Sequence, residues 1–196
     1  MNKKSIAAAI ALACLTTAVS AASNDDDPNA IGPYLGAAYG LSHYSKIDCS
    51  GAASCDNTPE GFKLIGGLPM SKNIALELQY VRYGKGDALS QSGVRGSWEG
   101  RHFGVGVAAI GNFGQRWTGI ARAGLAENKA KLKGSVPGLG SGSISENHVS
   151  VYAGGSIGFR VTPQLTVEAG LDLTRFELLD EKVTARQFNL GLRHSF

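Results

Sequence analysis

Two side chains that could form a catalytic pair, His148 and Ser150, stand two positions apart. A serine becomes a nucleophile when a base lies within hydrogen-bond reach, and residues i and i+2 of a strand share a face. Val149 and Val151 occupy the opposite face of the same alternating segment. The pair therefore belongs to the hydrophilic side of a strand, and we interpret it as a polar pair at a rim.

Other patterns that resemble sites are weaker. Gly104-x-Gly106-x-x-Ala109 matches a dinucleotide-binding pattern in letters, but period-two alternation continues through it and no helix follows. The histidines are too scattered to predict a metal cluster. They are His43, His102, His148 and His194. We expect no metal and no cofactor.

The N-terminus has the features of an export signal. Lys3 and Lys4 precede an apolar run over 6–15, and Val19-Ser20-Ala21 supplies small residues for cleavage. We predict a signal peptide over 1–21 and a short acidic lead-in over 22–32. An alternative is a lipoprotein signal, because the segment ending in Cys14 loosely resembles a lipobox. Loss of the two lysines lowers the formal charge from +3 to +1, which indicates no nucleic-acid partner.

Export also bears on the remaining cysteines. Cys49 and Cys55 bracket five small residues, and a disulfide is the default state of such a pair in an oxidising compartment. A C-x5-C pair without a nearby histidine is a poor zinc site. We predict a Cys49–Cys55 disulfide that braces a loop.

Composition limits the fold class. The 196 residues include 27 glycines, and charged residues make up 18%. A mean hydropathy near zero excludes several membrane-spanning helices, but it is compatible with strands that are apolar on one face only.

Eight segments alternate between apolar and polar residues, as strands do. They cover 33–44, 61–68, 74–84, 99–113, 117–127, 148–161, 164–176 and 186–196. Short turns at 69–73, 114–116 and 162–163 alternate with four longer polar segments, namely 45–60, 85–97, 128–147 and 177–182. An all-β, eight-stranded antiparallel up-and-down transmembrane β-barrel over 33–196 predicts this asymmetry, because its turns are short at one end and its loops long at the other.

The charged face of these strands must line the lumen, because a charge at the bilayer centre costs roughly 2–4 kcal/mol on a lipid-facing barrel position. The predicted lumen charges are Lys63, Glu77, Arg122, Glu168, Asp172 and Arg193. Eight strands enclose a space that side chains fill, so we expect the cations to pair with Glu77 and Glu168. Outward aromatic residues then form two girdles, with Phe113, Trp117, Phe159 and Phe196 near the turns and Phe62, Tyr80 and Phe103 near the loops.

The C-terminal strand, 186–196, supplies a first resemblance. Asn189-x-Gly191-x-x-His194-x-Phe196 resembles the C-terminal assembly signal of Gram-negative outer-membrane barrels, with His194 in place of an apolar residue. This resemblance implies recognition by periplasmic chaperones and the outer-membrane assembly machinery.

The whole mature chain resembles the OmpA-like transmembrane domain and the small OmpX-like outer-membrane β-barrels. The matching segments are 34–40, 61–67, 76–80 and 121–124, with the terminal Phe196. The resemblance implies a salt-bridged lumen at Lys63, Glu77, Arg122 and Glu168. The chain stops at Phe196, so we expect no peptidoglycan-binding domain.

We therefore expect a monomeric, non-enzymatic protein of a Gram-negative outer membrane, surrounded by lipid and lipopolysaccharide. Its role is structural or surface interaction, through four extracellular loops that contact a host or surface ligand. One alternative is a narrow gated pore whose lumen charge pairs rearrange. Another is a lipid A-modifying enzyme, because His148-x-Ser150 is similar to the His-x-Ser of lipid A deacylase barrels. A deacylase needs that pair toward the lipid, whereas the alternation places it with the lumen set.

Overall fold

The computed structural model describes residues 32–45, 52–56, 58–90, 93–138, 140–178 and 181–196, without the side chains at 177, 178, 181 and 182. The predicted signal peptide, most of the lead-in and Cys49 lie outside these residues. The strands are β1 (Tyr34–Tyr44), β2 (Ala52–Cys55), β3 (Glu60–Pro69), β4 (Ile74–Ser90), β5 (Arg95–Phe113), β6 (Trp117–Val136), β7 (Gly140–Arg160), β8 (Leu165–Leu178) and β9 (Glu181–Ser195). Within the described residues no helix is long and apolar enough to cross a membrane.

Eight of these strands form a closed antiparallel ring. The order β4-β3-β1-β9-β8-β7-β6-β5 is completed by pairing between β4 and β5. The first and last strands of the ring, β1 and β9, pair from Tyr34↔Ser195 to Tyr44↔Ala185. The predicted eight-stranded up-and-down barrel is confirmed, and closure leaves no free edge over the span in which all eight strands are paired.

The short connections lie at one end of the ring, which we call the turn end. They occupy 70–73, 114–116 and 161–164. Gly114 has a φ of 69° in the second of them, a left-handed conformation that only glycine adopts without strain. The N–H of Met70 donates to the Ile74 carbonyl (2.8 Å), and that of Val161 to the Leu165 carbonyl (2.9 Å).

At the opposite end, which we call the hairpin end, the long loops predicted over 85–97 and 128–147 are wrong. β4 to β7 contain 17, 19, 20 and 21 residues, so most of 85–97 and 128–147 is paired strand. In the predicted loop 177–182, Glu177 pairs with Lys182 and Leu178 with Glu181, so these four residues are the paired ends of β8 and β9. Alternation continues through Lys129, Lys131 and Lys133, but the outward face changes from apolar to polar. Polarity on that face therefore marks where the strands leave the apolar belt, while the strands themselves continue.

Side chains alternate between the inside and the outside of the barrel. On β8, Thr166, Glu168, Asp172 and Thr174 are buried, as predicted from the sequence pattern. The outward face is apolar and exposed, for example at Val107 (51%) and Leu125 (56%). An exposed apolar belt around a buried polar interior is the arrangement of a barrel whose solvent is lipid.

Strand β4 shows how the interior is layered from the turn end to the hairpin end. Its inward residues are Ala75, Glu77, Gln79, Val81 and Tyr83, each at most 1% exposed. Ala75 belongs to an apolar cluster with Tyr34, Ile65, Ala108, Ile110 and Ile120. Val81 and Tyr83 belong to a second cluster with Tyr44, Phe176 and Ala185. Charged and polar residues thus lie between two apolar clusters.

Candidate functional site

The charged layer of the lumen is centred on Glu77 of β4. Its Oε1 accepts a hydrogen bond from the Tyr34 hydroxyl (2.7 Å), and its Oε2 accepts one from Arg122 Nε (3.0 Å). Arg122 Nη1 donates to the Ser156 hydroxyl (3.3 Å). Side chains from β1 and β6 therefore bind this carboxylate of β4, and the charge-assisted bonds compensate for its removal from water.

A second carboxylate, Glu168 of β8, joins this group to the last strand. It pairs with Arg193 Nε and accepts a hydrogen bond from the Ser156 hydroxyl (3.2 Å). Arg122 Nη2 lies 3.9 Å from Glu168 Oε2. The Arg193 guanidinium also lies over the Tyr34 ring, 5.1 Å from its centroid. This is a cation–π contact that connects β9 to β1.

The third pair is separate from the first two. Lys63 Nζ lies 2.8 Å from both carboxylate oxygens of Asp172. Asn189 Nδ2 donates to Asp172 Oδ2 (2.7 Å). Gly154 pairs with Asp172 across the β7–β8 ladder, and a Cβ there would collide with the carboxylate. Lys63 thus pairs with Asp172, whereas the sequence pattern favoured Glu77 or Glu168 as its partner.

All six predicted lumen charges are buried, at 0–8% exposure. The set is Lys63, Glu77, Arg122, Glu168, Asp172 and Arg193, three cations and three carboxylates, so its formal charge is zero. Neutrality matters because an uncompensated charge inside a barrel of this size has little water to screen it.

A neutral polar layer on the hairpin side of the charges was missed by the sequence analysis. Gln79 Nε2 and His102 Nε2 are 3.0 Å apart, and the Tyr83 hydroxyl is 3.2 Å from His102 Nδ1. His102 is 1% exposed and its ring lies 5.5 Å from that of Tyr152. His102 and Gly104 are two positions apart and therefore share the inward face of β5. This spacing was the signal that could have placed His102 in the lumen.

The candidate catalytic pair lies on the inward side of β7, where β7 and β8 separate. The Ser150 hydroxyl accepts a hydrogen bond from Asn128 Nδ2 (2.6 Å) and donates to the Arg175 carbonyl (2.8 Å). Asn128 also donates to that carbonyl (2.6 Å). The Ser150 proton is thus directed at a backbone oxygen, so the hydroxyl caps the end of the β7–β8 ladder.

The predicted assembly signal divides between the two faces of β9. Asn189 and Gly191 lie on the inward face, where a Cβ at Gly191 would collide with Ala38. His194 and Phe196 lie outside, with ring centroids 4.8 Å apart. Cys55 ends β2, but Cys49 is outside the described residues, so their disulfide stays a prediction.

Beyond the apolar belt, β4 to β7 continue as a protruding sheet, which we define as residues 82–90, 95–101, 129–136 and 140–147. β7 pairs with β8 only from Tyr152↔Thr174 to Arg160↔Thr166, so β8 does not cover its end. The outward face of this sheet is rich in cations. They are Arg82, Lys85, Arg95, Arg101, Lys129, Lys131 and Lys133. The only acids on that face are Asp87 and Glu99, and among the described residues they form ion pairs with Lys85 and Arg82.

Solved structures with the same fold support this architecture. The chain is similar to the attachment invasion locus protein Ail of Yersinia pestis, solved in complex with the heparin analogue sucrose octasulfate (16% identity, TM-score 0.57, 84% of this chain and 99% of Ail). It is similar to Neisserial surface protein A (14% identity, TM-score 0.56, 84% of this chain and 97% of that protein). It is also similar to the N-terminal β-barrel domain of Pseudomonas aeruginosa OprF (14% identity, TM-score 0.53, 85% of this chain and 98% of that domain). None of the curated protein sequences matches the chain.

The sequence pattern of the family described as "Outer membrane protein beta-barrel domain" matches residues 7–196. The match covers nearly the whole chain, and the closed ring, the apolar belt and the polar lumen agree with it. The resemblance to small barrels of the OmpA and OmpX type is thereby confirmed. The chain belongs to the outer-membrane β-barrel family of Gram-negative bacteria and is located in the outer membrane.

Proposed function

We propose that this barrel is a structural and surface-interaction protein that holds the protruding sheet outside the cell. The single observation that carries this proposal is the continuation of β4 to β7 beyond the apolar belt as an ordered, paired sheet. The turn end then faces the periplasm. The connections at the hairpin end serve as the four extracellular segments that the sequence analysis expected.

The edge of β7 gives the protruding sheet a way to bind. From Ser141 to Ser145 the strand pairs with β6 on one side, and its other side carries no β8 ladder. A strand edge of this kind offers main-chain N–H and C=O groups to an extended segment of a partner. No lysine, proline or bulge protects Ser141–Ser145.

The interior supports a plug in preference to a pore. A water path would have to pass the apolar cluster around Ile110 and Ile120 at the turn end and the cluster around Tyr83 and Phe176 at the hairpin end. Rearranging the charge pairs between them opens neither cluster. We therefore expect no resolvable current in planar bilayers, for the natural chain and for Glu77→Ala or Lys63→Ala. A current that either substitution increases would support the gated pore instead.

The enzyme alternative has no support in the position of His148 and Ser150, which lie on the inward side with Ser150 bound to Asn128 and Arg175. Mass spectrometry of lipid A from cells that overproduce the barrel tests it. We expect unchanged acylation. A loss of one acyl chain that disappears in Ser150→Ala would establish the hydrolase.

Orientation is tested by cysteine labelling in intact cells. Ser143→Cys on the protruding sheet should react with a membrane-impermeant maleimide, whereas Gln115→Cys in a turn should react only after the cells are opened. The reverse pattern would overturn the proposal. Binding is tested by removing residues 132–144, which shortens β6 and β7 together, and comparing proteoliposomes on an array of immobilised matrix proteins and sulfated glycans.

A further inference from the structure

The outward face of the protruding sheet begins with three cations in one row. Arg82 pairs directly with Arg101 across the β4–β5 ladder, and Arg101 pairs directly with Lys129 across the β5–β6 ladder. Neighbours in such a row are about 5 Å apart, so the three positions span roughly 10 Å. Like charges directly opposite each other destabilise a sheet unless something compensates them.

Compensation from within the chain is incomplete. Arg82 Nη2 lies 3.1 Å from Glu99 Oε1. Across the part of the chain that the structure describes, neither Arg101 nor Lys129 forms an ion pair with a carboxylate. Glu127 is the nearest acid on the belt side of Lys129, two residues away on β6. Two exposed or half-exposed cations therefore face each other with their charge unpaired.

The height of the row identifies what surrounds it. Tyr80 pairs with Phe103 one step toward the belt, two residues below Arg82 and Arg101. Aromatic girdles mark the boundary between hydrocarbon and headgroups. Two residues of strand correspond to about 7 Å, so the cations stand in the headgroup layer of the leaflet at the hairpin end.

We propose that Arg82, Arg101 and Lys129 form a binding site for the phosphate groups of lipid A. This site rests on the proposed function, which places the hairpin end outside the cell. Lipid A phosphates lie in the outer leaflet, so only that orientation brings the three cations to them. Phosphate fits the row because guanidinium groups bind it through two parallel hydrogen bonds, and lysine adds a point charge beside them. One phosphate between Arg101 and Lys129 removes their repulsion, and Arg82 extends the site along the row.

Other cations on the barrel provide a matched control. Arg175 and Arg186 are also exposed and outward at the hairpin end. Arg175 pairs with Thr184, and Arg186 pairs with Leu173 and His43. Neither faces another lysine or arginine, so their loss removes the same charge without removing a row.

The test is native mass spectrometry of the refolded full chain in detergent, titrated with bis-phosphorylated lipid A or with dephosphorylated lipid A. We expect Arg101→Gln with Lys129→Gln to weaken binding of the phosphorylated lipid at least tenfold. Arg175→Gln with Arg186→Gln should stay within twofold of the natural chain. The natural chain and the Arg175→Gln, Arg186→Gln control should both bind the phosphorylated lipid more tightly than the dephosphorylated lipid. The Arg101→Gln, Lys129→Gln variant should bind the two lipids equally. The first double variant should unfold at the same temperature or higher without lipid A, because repulsion has been removed.

Equal weakening in both double variants, or equal binding of the two lipids by the natural chain, would overturn the proposal. A third titration uses a soluble heparin fragment. If the fragment binds as tightly as lipid A and depends on Arg101 and Lys129, the site serves a soluble polyanion and the lipid assignment is wrong. The lipid A titrations are made in detergent and do not depend on the orientation of the barrel in the membrane. The cysteine labelling in cells tests that orientation, so failure of the proposed function and failure of this site give different results.

Discussion

Lys63 and Asp172 are 109 positions apart in the sequence, yet Lys63 Nζ contacts both oxygens of the Asp172 carboxylate at 2.8 Å inside the barrel. Their side chains are 4% and 2% exposed. Solvent screens such a pair very little, so each partner stabilises the other's charge and neither can be removed alone without leaving a buried charge.

We therefore expect Lys63→Met to lower the free energy of unfolding by about 3–5 kcal/mol, measured by urea unfolding in lipid vesicles. Asp172→Leu should cost a similar amount, and the double variant should lose clearly less than the sum of the two. Lys85→Met is the control, because its pair with Asp87 is 50% and 58% exposed and should contribute only about 0–1 kcal/mol. Additive losses at 63 and 172 would show that the two charges are not coupled.

A single methyl group should disturb the interior at Gly67. A Cβ there would overlap the Tyr34 ring, whose hydroxyl is bonded to Glu77. We expect Gly67→Ala to destabilise the barrel by about 1–3 kcal/mol, the usual cost of overpacking. Thermal unfolding in detergent measures this effect.

Gly134→Ala is the matched control for Gly67→Ala, because a Cβ at Gly134 has nothing within 4 Å. Alanine is favoured over glycine inside a strand by roughly 0.5–1 kcal/mol, so this variant should be neutral or slightly more stable. A large loss of stability at 134, or none at 67, would contradict the packing described for Tyr34.

The lipid-facing assignment is tested by placing a charge in the middle of the belt. Val107 is 51% exposed on the outward face. Val107→Lys should cost about 2–4 kcal/mol in vesicles, because lysine at that depth faces hydrocarbon. Ser143→Lys, on the protruding sheet, should leave the unfolding free energy nearly unchanged. Equal effects at the two positions would mean that Val107 meets water.

The C-terminal residue should affect assembly in cells more than stability. Phe196 is 59% exposed and contacts His194 on the outer surface, so few folded-state contacts depend on it. We expect Phe196→Ala to reduce the folded barrel in isolated outer membranes at least fivefold while refolding in detergent stays close to that of the natural chain. If both fall equally, Phe196 acts through stability and the assembly signal is not supported.

Much of the architecture follows from alternation alone. Glu168 and Asp172 could be placed inside because they alternate with Val167, Leu171 and other apolar residues of β8. Only the apolar face of that strand can contact lipid. The partner of Lys63 could not be predicted, because it depends on the stagger of β3 against β8, which are separated in the ring by β1 and β9. The layer formed by His102 and Gln79 was not predicted. Neutral side chains do not require a partner of opposite charge, so the residue pattern offered no reason to place these two together. The strands through Lys129–Lys133 were missed because a solvated strand and a loop have the same polarity.

The contact between Arg193 and Tyr34 has a consequence for the order of events during folding. One residue lies near the end of the ring and the other at its beginning, so their contact cannot exist until the first and last strands have met. Glu77 and Glu168 depend on the same two residues for a bond each. Contacts between such distant positions are slow to form. The nascent barrel should therefore stay open, with its charges hydrated, until a single late closure expels the water and completes the interior.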